Sequence, residues 1–160
     1  MITDVRLATT ADADELAALE HAARAALVDV RGGAALLAEQ PAVGEWVAVL
    51  ADAWRRVWLA LIDDVPVGYL ELQLPATLGG AGVVRQVYVA GEARELGFGD
   101  EMLAEAIAAT LAAGGAVIES FALPGDRETK NLYERAGVTA RKIIVSKRLS
   151  DPSSSADASR

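Results

Sequence analysis

Apolar positions recur along this chain with two different periods. Residues 2–8 (ITDVRLA) alternate and predict a first strand. Thr9 and Thr10 then offer helix caps with Asp12 in the first turn, and Leu16, Leu19, Ala23 and Leu27 follow at helical spacing. Arg31, Gly32 and Gly33 interrupt that helix, and residues 34–39 predict a short one that ends before Pro41. Residues 43–54 predict a second main helix, with Trp46, Val47, Leu50 and Trp54 on one stripe. From residue 57 the period drops to two. VWLALI (57–62) and VGYLELQL (67–74) flank Asp63, Asp64 and Pro66, the signature of a hairpin. Its second strand puts Leu70, Leu72 and Leu74 on one face and Tyr69, Glu71 and Gln73 on the other, the expected wet face of the hairpin.

A glycine-rich turn leads to VVRQVYV (83–89), and a helical run follows Gly99 and ends near Gly114 and Gly115. AVIESFAL (116–123) predicts another strand. Asp126 caps a helix carrying Leu132, Tyr133 and Ala136, with Gly137 as its C-cap, and residues 138–149 predict a last strand. The order β-α-α-β-β-β-α-β-α-β predicts an α/β fold, a mixed and mostly antiparallel sheet with helices on both faces. Residues 1–149 are expected to form a single domain, and 150–160 (SDPSSSADASR) a disordered tail without core-forming residues.

Composition narrows the function. The chain has 160 residues and a net charge of −8, which argues against broad nucleic-acid binding and permits attraction of cationic substrates such as amines. No run is apolar and long enough to span a bilayer, and no signal peptide is expected. Without cysteine there is no thiolate metal site and no cysteine nucleophile, so a cytoplasmic protein with no metal site is the expectation. The single histidine, His21, lacks the nucleophile elbow that a hydrolase triad requires.

The candidate chemistry centres on YVAGEARELGFGDEML (88–103), where a strand becomes a helix. Such a junction presents free N–H groups at the positive end of a helix dipole, a natural seat for phosphate. Arg94, Gly97 and Gly99 have the spacing Arg-x-x-Gly-x-Gly, which is neither a Walker loop nor a dinucleotide loop.

This loop resembles that of the GNAT family of acyl-CoA-dependent N-acyltransferases, which carries Arg/Gln-x-x-Gly-x-Gly/Ala between its fourth strand and third helix. A second stretch, PGDRETKNLYERAG, is similar to the family's Asn-x-x-Ala-x-x-x-Tyr-Glu-x-x-Gly pattern, with Asp126 for the Asn, Thr129 for the Ala, and Tyr133, Glu134 and Gly137 matching. The resemblance spans all but the tail. It implies acetyl-CoA as co-substrate, its pyrophosphate held along Arg94, Glu95, Leu96, Gly97, Phe98, Gly99 and Asp100, with Asp126 nearby. It also implies that the pantetheine arm and thioester lie along Val87, Tyr88 and Val89, with Tyr133 near the sulfur as general acid. Glu95 and Leu96 depart from the family's usual glycine and basic residue, and Asp100 adds a like charge near the diphosphate. Weaker binding than in a member with a basic loop is expected, by about 0.5–1 kcal/mol per solvated like-charge contact.

Acetyl transfer needs a base for the amine, donors for the developing oxyanion and a proton for the thiolate. Arg85 and Gln86 fill the fourth-strand positions where many members carry a carboxylate. Glu71, Glu119 or a water chain remain as the base, with Glu71 the leading candidate. The acceptor, a primary amine of a small molecule or protein, is expected between the first two helices and the hairpin, near residues 31–44. An acyl-CoA-binding or regulatory domain with little turnover is the alternative, and an interaction domain that no longer binds CoA a third. The family often dimerises through sheet edges or C-terminal strands, so a homodimer is an open expectation.

Overall fold

The computed structural model describes residues 1–149, so the expected tail, 150–160, falls outside the described residues. Five strands form one sheet in the order β1-β2-β3-β4-β5: β1 Thr3–Leu7, β2 Arg55–Ile62, β3 Val65–Gln73, β4 Ala81–Val89 and β5 Val117–Glu119. The first four pair antiparallel, and β5 runs parallel to β4. The helices are α1 Ala13–Leu27, α2 Gly33–Glu39, α3 Trp46–Ala51, α4 Phe98–Ala112 and α5 Arg127–Arg135. The expected mixed sheet is therefore formed. None of these helices is long and apolar enough to cross a membrane.

Strand alternation divides the core in two. Val57, Leu59 and Leu61 of β2 join Tyr69, Leu16 and Trp46 under α1 and α3. Trp58 and Ala60 join Leu70, Leu72, Val84, Phe98, Met102 and Leu132 under α4 and α5. Each face thus buries large aliphatic and aromatic side chains, worth about 1.5–3 kcal/mol apiece. The β2–β3 hairpin turns on Asp63 and Asp64, both in the left-handed region at φ 47° and 65°. That is the twist a two-residue hairpin loop requires, and aspartate tolerates it better than most side chains.

α1 is entered as its capping residues predict. Asp12 accepts from the Thr9 amide at 2.7 Å and holds Arg6 of β1 through two 2.9 Å bonds. The Arg6 guanidinium, aided by the Thr9 amide, lowers the Asp12 carboxyl to about 2.

Four expectations need correction. The helix over residues 43–54 shrinks to Trp46–Ala51, because Asp52 turns extended and its carboxylate accepts from the Trp54 amide at 2.8 Å. Of the predicted stripe only Trp46 is fully buried; Trp54 is 55% exposed. The hairpin has no wet face, since Tyr69 and Glu71 are buried under α1. The strand over residues 116–123 holds its ladder only from Val117 to Glu119. Residues 138–149 form no strand; Val138 is half-buried and every described residue after it exposed.

Candidate active site

β4 and β5 pair only over three residues, Ala81 with Val117, Gly82 with Ile118 and Val83 with Glu119. β4 continues to Val89, and a register shift opposite Glu71 and Leu72 leaves Arg85 as an extra residue bulging from it. Bulges re-aim the strand that carries them. Beyond Val83, therefore, that edge of β4 has no strand beside it. A cavity of about 690 Å³ opens there, lined by Gln86 to Val89 on one side and Ser120 to Leu123 on the other. α1 and α2 bound one end, and the starts of α4 and α5 bound the other.

At the α4 end, Gly97 caps the helix at φ 83°, a conformation that a side chain would strain. Glu101 donates to the Gly97 carbonyl, so the amides of Phe98, Gly99 and Asp100 are the helix's unpartnered first donors. Arg94, Glu95, Gly99 and Asp100 line the cavity. Phe98 sends its ring into the core, 2% exposed, and Leu96 faces outward, so these two and Gly97 offer backbone only.

Of the loop's charged residues, Asp100 and Arg94 are each held by a partner on α5. Asp100 takes two bonds from Arg135 at 2.9 and 3.0 Å, and Glu128 takes Arg94 at 3.0 Å. Arg94 also donates to the Val89 carbonyl at 3.1 Å, which lays its side chain along the end of β4. Asp126 caps α5, accepting from the Thr129 amide at 3.0 Å and hydroxyl at 2.6 Å.

In the middle of the cavity wall, Tyr133 is 7% exposed and its hydroxyl lies 2.6 Å from Ser120 Oγ. Ser120 Oγ donates to the Val84 carbonyl at 2.9 Å, which makes Tyr133 the donor to Ser120. Burial pushes the Tyr133 phenol up to about 12, the Ser120 bond offsetting part of that.

The α1 end holds a buried polar network. Gln86 Nε2 donates to Glu20 Oε2 at 2.9 Å and to Glu71 Oε2 at 3.0 Å, while its Oε1 accepts from the Tyr69 hydroxyl at 2.6 Å. Burial and the two carboxylates drive the Tyr69 phenol upward. Glu71 is 1% exposed, bonded to Arg55, with Arg85 Nε at 3.9 Å, and it does not reach the cavity surface. Glu20 does line the cavity, and also accepts from the Val43 amide at 3.0 Å. Glu119 is exposed on β5 and lines no part of it. Arg24 ties α1 to α2 through the Gln40 carbonyl at 2.8 Å, and His21 lies on the exposed face of α1.

Sequence reasoning passed over Glu20 and Ser120. Both carried a signal: Glu20 sits four residues after Leu16 on the apolar stripe of α1, and Ser120 shares the inward face of its strand with Ile118 and Ala122.

Comparison with solved structures finds the same architecture. AAC(6')-Iy, an aminoglycoside N-acetyltransferase in complex with a CoA bisubstrate analog, is 16% identical; the match covers 93% of this chain and 100% of that one, with a TM-score of 0.67. A ribosomal-protein-alanine N-acetyltransferase from Brucella melitensis biovar Abortus is 20% identical over 93% of this chain and 100% of that one, at 0.64. A point mutant of the BH1408 protein from Bacillus halodurans is 17% identical over 93% and 99%, at 0.73. These identities speak to the fold alone, and no curated protein matches the sequence. The family model described as "Acetyltransferase (GNAT) family" matches residues 17–138, about three quarters of the sequence. The chain belongs to the GNAT acetyltransferase family.

Proposed function

We propose that this protein transfers an acetyl group from acetyl-CoA directly to a primary amine. The observation that carries this reading is the 690 Å³ cavity, with unpartnered amides of α4 at one end and the Glu20 carboxylate at the other. The pyrophosphate would lie on the amides of Phe98, Gly99 and Asp100, where the helix dipole favours anions. Arg94 and Arg135 stand beside them and can exchange carboxylates for phosphate. The free edge of β4 over Val87, Tyr88 and Val89 suits an extended amide-bearing arm and offers backbone donors to a thioester oxygen.

Acetyl-CoA supplies an activated acyl group whose carbon–sulfur bond breaks as the amine's carbon–nitrogen bond forms. This chain's part is to move protons. We assign removal of the amine proton to Glu20, because it meets the cavity where Glu71 does not. Gln86 holds Glu20 and Glu71 together, and Glu71 with Arg55 fixes the network from behind. Tyr133 is the donor for the departing sulfur, exchanging Ser120 for it. A carboxylate at the acceptor end also favours a cationic amine, and the names of two of the similar structures specify an aminoglycoside and a protein alanine as acceptors.

Thiol release from acetyl-CoA over a panel of amines, aminoglycosides and peptide N-termini included, tests the reading. Turnover with at least one amine is expected, and Glu20→Gln should lower kcat by roughly 10- to 1000-fold with little change in acetyl-CoA Kd. Full kcat in that variant would remove Glu20 from the mechanism. The second reading, an acyl-CoA-binding domain without turnover, draws on the engagement of Arg94 by Glu128. Tight acetyl-CoA binding with no thiol release from any amine would establish it.

A further inference from the structure

The bulge in β4 decides where Arg85 points. In a regular strand neighbours alternate, so Arg85 and Gln86 would leave opposite faces of the sheet. Here Gln86 pairs with Glu71 and Val84 with Leu72, which leaves Arg85 as the extra residue between them. A bulge re-aims the side chain it carries. Arg85 and Gln86 accordingly meet the same carboxylate: Gln86 Nε2 lies 3.0 Å from Glu71 Oε2, and Arg85 Nε lies 3.9 Å from Glu71 Oε1. Glu71 is already bonded to Arg55. The Arg85 side chain, 47% exposed, therefore keeps its outer nitrogens for the cavity it lines.

A second guanidinium lines the same end. Arg24 follows Glu20 by one turn of α1 and donates to the Gln40 carbonyl at 2.8 Å and the Leu37 carbonyl at 3.4 Å. These partners are neutral, so its charge is not cancelled by them. Among the described residues Glu20 is the one acid lining this end; the others that line the cavity, Glu95, Asp100, Asp126 and Glu128, stand around the starts of α4 and α5. The acceptor end thus holds one carboxylate and two guanidiniums, on a protein whose net charge is −8. Such a site repels a polycation and fits a molecule that brings one cation and one anion. Leu27, Val30 and Leu36, all partly buried, complete its wall and suit an apolar group.

We propose that the acceptor is a free α-amino acid with an apolar side chain, its ammonium on Glu20 and its carboxylate on Arg85, with Arg24 adding to the field. The inference rests on the acetyl-transfer reading above and specifies the substrate of that same site. Glu20 takes one proton from the ammonium. The carbon–nitrogen bond then forms as the carbon–sulfur bond of acetyl-CoA breaks, and the second proton shed by nitrogen balances the one taken by sulfur. The products are an N-acetylamino acid, the CoA thiol and one proton.

The test compares leucine, methionine and phenylalanine with leucinol, methioninol and phenylalaninol. Each amino alcohol keeps the ammonium and the side chain and lacks the carboxylate. Binding is read by calorimetry on the CoA-saturated protein, and turnover by thiol release from acetyl-CoA. At least one acid should surpass its alcohol by roughly 10-fold or more in both affinity and kcat/KM. Arg85→Gln should bring that acid and its alcohol level, and Arg85→Lys should keep part of the difference; a merely structural Arg85 would weaken both ligands alike. Alcohols or kanamycin that match the acids, or a preference for the acid that survives Arg85→Gln, would overturn the inference and leave acetyl transfer standing. A preference for the acid in calorimetry, without thiol release from any amine, would uphold the carboxylate site and overturn transfer instead.

Discussion

Tyr133 illustrates how a single residue's surroundings fix its role. With burial holding its phenol at about 12, it stays protonated across the whole practical range and can act only as a donor. Tyr133→Phe should reduce kcat by roughly 10- to 1000-fold while acetyl-CoA Kd moves little. Stability should fall by no more than about 1 kcal/mol, because Ser120 keeps its bond to the Val84 carbonyl and no buried group is orphaned. Ionisation of Tyr133 should contribute no basic limb to the pH–rate profile below about pH 11, and rates measured from pH 6 to 10 check this. A fall in that window that vanishes in Tyr133→Phe would mean the phenol titrates far lower than its burial implies.

Among the elements, α4 and α5 are fastened to each other across the mouth of the cavity by Asp100–Arg135, as α5 is to the preceding loop by Arg94–Glu128. Asp100→Asn would remove a like charge and release Arg135 toward the diphosphate. Acetyl-CoA should bind severalfold tighter at low salt, with the gain shrinking as salt rises, by calorimetry at two ionic strengths. Unchanged affinity would place the phosphates away from this pair. The Arg6–Asp12 latch between β1 and α1 has a pH signature. The folded carboxyl at about 2 lies below its ordinary 3.8, so its contribution is complete above about pH 4 and is lost as pH falls toward 2. Asp12→Asn should cost about 1 kcal/mol at pH 7 and progressively less in acid, measured by urea unfolding at pH 7 and pH 3. The elements themselves were legible wherever periodicity and punctuation agreed, as at Asp63–Asp64 and at Asp126. They were illegible where a side chain overrode the pattern, as Asp52 does after α3. They were illegible too at residues 138–149, whose apolar centre at Ile143, Ile144 and Val145 reads as a strand although these side chains are exposed. Of the candidate site, the loop around Gly97 was readable because helix starts are local. Glu20 meets Gln86 from 66 residues away, a proximity that spacing along the chain does not encode.

At the scale of the whole molecule, the cavity is walled by the sheet and by helices from both of its faces, so a ligand seated there joins the two half-cores. Acetyl-CoA at one hundred times its Kd should stabilise the fold by about 2.7 kcal/mol. For a chain of this size that corresponds to a rise in Tm of about 5–11 °C in a thermal melt. A folded protein whose Tm is indifferent to saturating acetyl-CoA would contradict the co-substrate assignment.

The division of the core also gives the protein its own optical labels. Trp46 is buried on the α1 side with its ring edge-on to Tyr69 at 5.8 Å, and Trp58 is buried on the α4 side. Trp54 is the third, and it faces solvent. Emission from Trp46 reports on the wall beside Gln86, where an amine would arrive, while Trp58 reports on the layer that carries Phe98. With Trp54→Phe to remove the solvent-facing background, Trp58→Phe leaves Trp46 as sole emitter and Trp46→Phe leaves Trp58. Each ligand's arrival then has its own colour shift, and the order in which the two substrates enter becomes readable by mixing them one at a time.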